Sequence, residues 1–163
     1  MRSLGRLARA PASVYFTGGA TAVLYGWRES TVDVDLRIEP DRDEILRPMV
    51  ELKERLNINI ELASPQDFVP VSPDWRAQSP FIERHGRLSF HHFELYAQAL
   101  SKAERRHAQD VEDIQAMLRL GLIEPEAMLR YHDRVASDLH RYPSLDAEAL
   151  RKAVESLFGP RSS

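Results

Sequence analysis

The sequence contains no cysteine and only three lysines, Lys53, Lys102 and Lys152, among its 163 residues. The first absence excludes disulfide frameworks, thiolate zinc sites, iron–sulfur clusters and a cysteine nucleophile, and it permits a reducing compartment. Long apolar runs are missing as well. Gly, Arg or Asp interrupts every hydrophobic stretch well before the roughly 18 residues a membrane span requires, so a cytoplasmic protein with no membrane partner is expected. Nor does one sign of charge dominate: 22 basic and 25 acidic residues give a net charge of −3. Residues 1–75 carry 9 basic and 12 acidic side chains, and residues 76–163 carry 13 of each. Binding to a polyanion needs clustered Lys or Arg to release counterions, so any nucleic-acid contact is expected to be local. What is present is 43% apolar residues, enough for one globular domain with a helical annex. Met1 to Ala10 has three Arg and no acid, but it lacks the apolar stretch of a targeting peptide and reads as a first helix.

The hydrophobic period changes near Phe93. Before it, short apolar runs alternate with turn signals; after it, the pattern is almost continuously helical. Val14-Tyr15-Phe16-Thr17 predicts a buried strand, halted by Gly18-Gly19, with a helix over Ala20 to Trp27. Val32 to Ile38 alternates apolar Val32, Val34, Leu36 and Ile38 with polar Asp33, Asp35 and Arg37, the period of a half-buried strand. Arg42 to Leu56 predicts an amphipathic helix. Asn57 to Leu62 alternates again, with Ile58, Ile60 and Leu62 inward and Asn57, Asn59 and Glu61 outward. Four prolines between Ser64 and Pro80 predict a long loop without regular helix. Phe81 to His85 and Leu88 to Phe93 predict a hairpin turning at Gly86-Arg87, and three or four helices follow. The expected architecture is α+β: a core over residues 1–93 with a short mixed sheet flanked by helices, and a helical region over 94–163 packed on it.

The densest polar constellation is Thr17-Gly18-Gly19, 13 intervening residues, then Asp33-Val34-Asp35-Leu36. Carboxylates at i and i+2 of a strand point the same way, which suits divalent cations bridged by a phosphate; hard oxygen donors mean Mg2+ or Mn2+. A glycine pair at a strand-to-helix turn lets phosphates approach backbone N–H groups and the positive end of a helix. Read blandly, the glycines are an ordinary turn and the alternation is a solvated strand face. Arg28, followed by Ser30-Thr31, either reaches a phosphate or braces the aspartates by an ion pair, and bracing is the favoured role. His91 and His92, adjacent on a strand, point to opposite faces and cannot chelate one ion by spacing alone. Tyr25 and Trp27 are read as core packing rather than base stacking.

Together, these residues resemble the signature of the nucleotidyltransferase superfamily, the polymerase-beta-like minimal fold: Gly-Gly or Gly-Ser, then acid-apolar-acid-apolar after a short gap. Gly19 stands where that family more often has Ser, and Thr21 is the candidate to supply the hydroxyl instead. The resemblance implies a third carboxylate on the next strand, and Glu61 is placed for it. A second resemblance, to AbiEii-type toxins and small bacterial nucleotidyltransferases near them, rests on Lys102-Ala-Glu-Arg105 and Asp110-Val-Glu-Asp113. It implies that Lys102 contacts the triphosphate while Asp110 and Asp113 complete the nucleotide pocket. A structural alternative for Asp110 is the N-cap of a helix reaching Leu120, with Asp113 in its first turn.

The resemblances imply a Mg2+- or Mn2+-dependent nucleotidyltransferase. Asp33, Asp35 and Glu61 would hold metal, with Gly18, Gly19, Thr21, Arg28, Lys102, Asp110 and Asp113 around an NTP. The acceptor would be a tRNA 3′ end in a toxin–antitoxin setting, with an antitoxin or toxin as partner, or a protein hydroxyl. The alternative of a different class is a catalytically silent binding or antitoxin module of the same fold. Retention of three acids that repel one another without a cation argues against it.

Overall fold

Val14, Tyr15 and Phe16 are the apolar heart of the first strand, β1 (Ala12–Thr17), and the sheet grows outward from it. The computed structural model describes residues 1–160. β2 (Asp33–Glu39) pairs antiparallel with one side of β1, and β5 (Leu88–His92) pairs parallel with the other. β3 (Asn59–Leu62) runs parallel to β2 and β4 (Phe81–His85) antiparallel to β5, giving the order β3-β2-β1-β5-β4. The sheet is mixed and accompanied by helices, so the chain is α+β, as its patterning predicts.

The chain divides into two compact units, one comprising Met1–Ser64 with Ser79–Phe93 and the other Pro65–Gln78 with the chain from Glu94. The first contains the sheet. Strand alternation sends Val14, Phe16, Leu36, Ile38, Leu88 and Phe90 to one face, where they meet Leu4 of α1 (Arg2–Leu7), Ala20 of α2 (Gly19–Tyr25) and α3 (Asp43–Leu56). α3 buries Ile45, Met49 and Leu52 at helical spacing, with acids in its first turn and Lys53 and Arg55 in its last, complementing the helix dipole. Asn57 ends α3 in the left-handed conformation, φ 50°, so the expected strand loses its first two residues and begins at Asn59. Leu62, expected inward, is 53% exposed, because β3 is an edge strand and Leu62 its last residue.

The second unit is helical. It contains α4 (Trp75–Gln78), α5 (Leu95–Arg105), α6 (Ala108–Arg119), α7 (Pro125–Val135) and α8 (Ala147–Phe158). Glu94 caps α5 by accepting from the backbone N–H groups of Tyr96 and Ala97, and Asp146 caps α8 through Ala149. The proline-bearing segment corrects its loop expectation: a 3-10 turn forms at Pro65–Asp67, and α4 fits in the proline-free gap between Pro73 and Pro80. Its backbone is tied to the helices of this unit. Ser72 N–H donates to the Tyr131 hydroxyl at 3.1 Å, and the Tyr142 hydroxyl donates to the Gln66 carbonyl at 2.6 Å. Among the described residues, no helix is long and apolar enough to cross a membrane.

Candidate active site

Register assembles the acids. Thr17 on β1 lies opposite Asp35 on β2, and Asp35 lies opposite Glu61 on β3, while Asp33 faces Asn59 one step along. Residues opposed across strands share a face, so Asp33, Asp35, Asn59 and Glu61 all project from the side away from the apolar core. The Asn59 amide bridges two of the acids, its Nδ2 donating to Asp33 Oδ1 at 3.0 Å and to Glu61 Oε1 at 2.9 Å. Asp33 and Glu61 are exposed and Asp35 half-buried. Farther along the same face, Tyr15 stacks on His91 at 5.1 Å, and Arg37 pairs with Glu39 at 3.0 Å. Burial lowers the His91 pKa below its ordinary value.

The glycine turn lies beside Asp35. Gly18 adopts φ 60°, a conformation L side chains rarely take, and a Cβ there would sit 3.3 Å from Asp35 Oδ2. Gly19 is the tighter position. A Cβ at residue 19 would collide with the Thr31 side chain and crowd Arg28 Nη1 at 3.1 Å, which explains physically why no serine stands there. Thr31 is locked in place by donating to the Asp33 carbonyl at 2.9 Å. The hydroxyl of Thr21, the expected stand-in for a serine at residue 19, has partners inside the fold. It is 1% exposed, donates to the Phe16 carbonyl at 3.2 Å and lies 3.1 Å from His92 Nδ1. His92, buried and stacked on Tyr25 at 4.3 Å, has its pKa lowered to about 4 by desolvation, so it is neutral at neutral pH. Tyr25 and Trp27 stack at 6.0 Å.

In the helical unit, Lys102 on α5 and Asp110 and Asp113 on α6 come together, all buried. The Lys102 ammonium is 2.6 Å from Asp113 and 3.8 Å from Asp110, and Arg105 donates twice to Asp110, at 2.6 and 2.9 Å. Burial alone would raise the Asp110 pKa, but the Arg105 hydrogen bond and charge, with Lys102 behind them, hold it below the usual carboxylate range. Asp110 is not the N-cap the sequence suggested. The N-cap of α6 lies three residues earlier, at His107, and Asp110 sits at the third helical position, accepting from the His107 backbone N–H at 3.2 Å. Gln109 adds a contact to Asp113 at 3.3 Å. Each charge therefore finds an opposite one inside this unit.

A family model described as "Nucleotidyltransferase of unknown function (DUF6036)" matches residues 2–153, spanning both the glycine turn with its acids and the Lys102 network. The chain belongs to this family. No curated protein and no solved structure matches it. Membership agrees with the superfamily reading of Thr17 to Leu36; the family description carries no substrate, metal or toxin role.

For a nucleotidyltransferase of this family, the donors on the sheet face suit a hard divalent cation, being carboxylate oxygens two residues apart on one strand. Gly18, by lacking a Cβ, leaves room for the Asp35 carboxylate against the turn. Among the described residues no three His, Asp or Glu side chains form a ready cation cage. One residue of this site had no role in the sequence reading. Asn59 stood on the polar face of its strand, but only the parallel register of β2 and β3 shows that it faces Asp33. Thr31 needed the fold-back from α2 to bring it against Gly19.

Proposed function

We propose that this chain transfers a nucleoside monophosphate from an NTP to an acceptor hydroxyl, with Mg2+ or Mn2+ as cofactor. The observation that carries the reading is the strand register that puts Asp33, Asp35 and Glu61 on one face beside Gly18-Gly19. Asp33 and Asp35 would hold the cation, which when bound neutralises phosphate charge and polarises the α-phosphate. Glu61, exposed next to Asp35, orients the acceptor hydroxyl and takes its proton. The acceptor oxygen then forms the new bond to the α-phosphorus as the bond to the leaving pyrophosphate breaks. Arg28, whose Nη1 lies 3.1 Å from where a Cβ on residue 19 would stand, would brace the aspartates, its favoured role, or reach a phosphate at the turn. By the resemblance, Lys102 would hold the leaving pyrophosphate and Asp110 and Asp113 would complete the nucleotide pocket; the buried ion network of Lys102 with these acids joins α5 to α6.

By resemblance, the acceptor is a tRNA 3′ end in a toxin–antitoxin pair, and a protein hydroxyl is the competing acceptor. The test is transfer of label from each of four α-labelled NTPs, with Mg2+ or Mn2+, into total RNA or total protein, beside an Asp33→Ala/Asp35→Ala control. Label in RNA that the control loses supports the tRNA reading, and label in protein supports AMPylation or its equivalent. No label in either, together with no cation-dependent rise in thermal stability, would sink the enzyme reading and leave a silent binding module.

A further inference from the structure

Asp33 and Glu61 are exposed carboxylates on neighbouring strands, one of them on a sheet edge only four residues long. Left to water, two such side chains would repel each other and sample several rotamers. Between them stands a neutral side chain with two N–H donors on a single nitrogen, and both carboxylates accept from it. The bonds engage one oxygen of each acid, Asp33 Oδ1 and Glu61 Oε1, and leave Asp33 Oδ2 and Glu61 Oε2 for other contacts. An aspartate in place of Asn59 would have the same shape but no donor, and would set like charges directly opposite across the strands.

We infer that Asn59 is a positioning residue: its amide straps the Asp33 and Glu61 carboxylates into one arrangement before any cation or nucleotide arrives. The inference rests on the nucleotidyltransferase reading of this face and deepens it. Two different devices then fix the acids. Asp35 is half-buried against the Gly18 turn, whereas the two exposed acids are held through Asn59. The strap works by preorganisation: rotamer freedom is lost at folding rather than at binding, and the amide dipole offsets repulsion between the two anions. It also orders the work across the face. The oxygens that Asn59 holds stay as structural acceptors, and the remaining oxygen of each acid is presented outward.

The test uses the full chain and a readout independent of turnover. In 15N-labelled protein without metal, the Asn59 side-chain NH2 protons should respond separately, one to Asp33→Ala and the other to Glu61→Gln. A titration of thermal unfolding with Mn2+ alone should show its midpoint about tenfold higher in Asn59→Ala than in the parent, the size typical of losing a partner that orients a metal ligand. Asn59→Asp, isosteric and without a donor, should abolish the NH2 signature, and in a transfer assay it should lower kcat while leaving KM for the NTP within about twofold. If the NH2 signals respond to neither carboxylate variant, or Asn59→Ala leaves the Mn2+ midpoint within about twofold of the parent, the strap is overturned. If the parent takes up no Mn2+ while both NH2 responses are present, the strap stands and the cation-dependent reading of the face falls.

Discussion

On the sheet, Asp33 and Glu61 are exposed and Asp35 half-buried, with a neutral amide between the first two, whereas Asp110 and Asp113 are buried and held by Lys102 and Arg105. Both groups read alike in the sequence, as acids at short spacing near a glycine or a lysine. The difference lies in how each anion is compensated. A buried carboxylate needs an opposite charge within a few ångströms, because desolvation costs several kcal/mol per ion. The exposed acids have water as their alternative partner and can exchange it for a cation. The two groups of acids thus differ in compensation: charge from Lys102 and Arg105 in the helices, a neutral amide on the sheet.

The largest expected effect separates the two regions directly. Asp33→Ala/Asp35→Ala should lower transfer by at least about a hundredfold, beyond the loss of one outer partner of a metal ligand, and remove cation-dependent stabilisation. Its urea midpoint without cation should stay near that of the parent; a large loss of basal stability would break the contrast. Lys102→Met should do the reverse, costing about 3–5 kcal/mol of unfolding free energy by removing the ammonium paired with the buried Asp113. If Lys102→Met is instead as stable as the parent but weakens NTP binding, the network belongs to ligand chemistry.

Acid should sharpen the picture further. His92 has a folded pKa of about 4 against an ordinary 6.5, so the unfolded chain binds its proton first. Stability is therefore full above pH 6.5 and falls as pH drops toward 4, by roughly 3 kcal/mol in total, and His92→Gln should flatten that window in urea titrations. Asp110, held low by Arg105 and Lys102, contributes stability that is present above the ordinary carboxylate range and lost only as pH falls through its depressed folded value. The smallest effect concerns the glycine turn. Gly19→Ser should cost roughly 1–3 kcal/mol through the clash with Thr31, and adding Thr31→Ala should recover part of it, a coupling measurable as a double-mutant cycle.

Much of the fold was legible from periodicity. Alternation in Val32 to Ile38 anticipates β2 because one face of that strand is apolar core and the other solvent. The single turn of α4 was hidden, because four prolines dominate its surroundings and its four residues carry too little pattern of their own. For the candidate site, the two-residue period of a strand puts Asp33 and Asp35 on one face, and the family resemblance pointed to Gly18, Gly19 and Glu61 beside them. Thr21 and Lys102 were read from composition and resemblance. Their contacts with His92 and Asp113 join positions 71 and 11 residues apart, and no local pattern encodes such a meeting.

The strand and helix periods, the acidic strand face and the glycine turn are local properties of the chain, each set by neighbours within a few residues. Only the tertiary structure decided that β2 and β3 run parallel with Asp33 opposite Asn59, that Thr31 closes on Gly19, and that the Lys102 charge is neutralised within α5 and α6. These outcomes depend on register and on the desolvation of particular groups, and both are fixed only when distant segments pack.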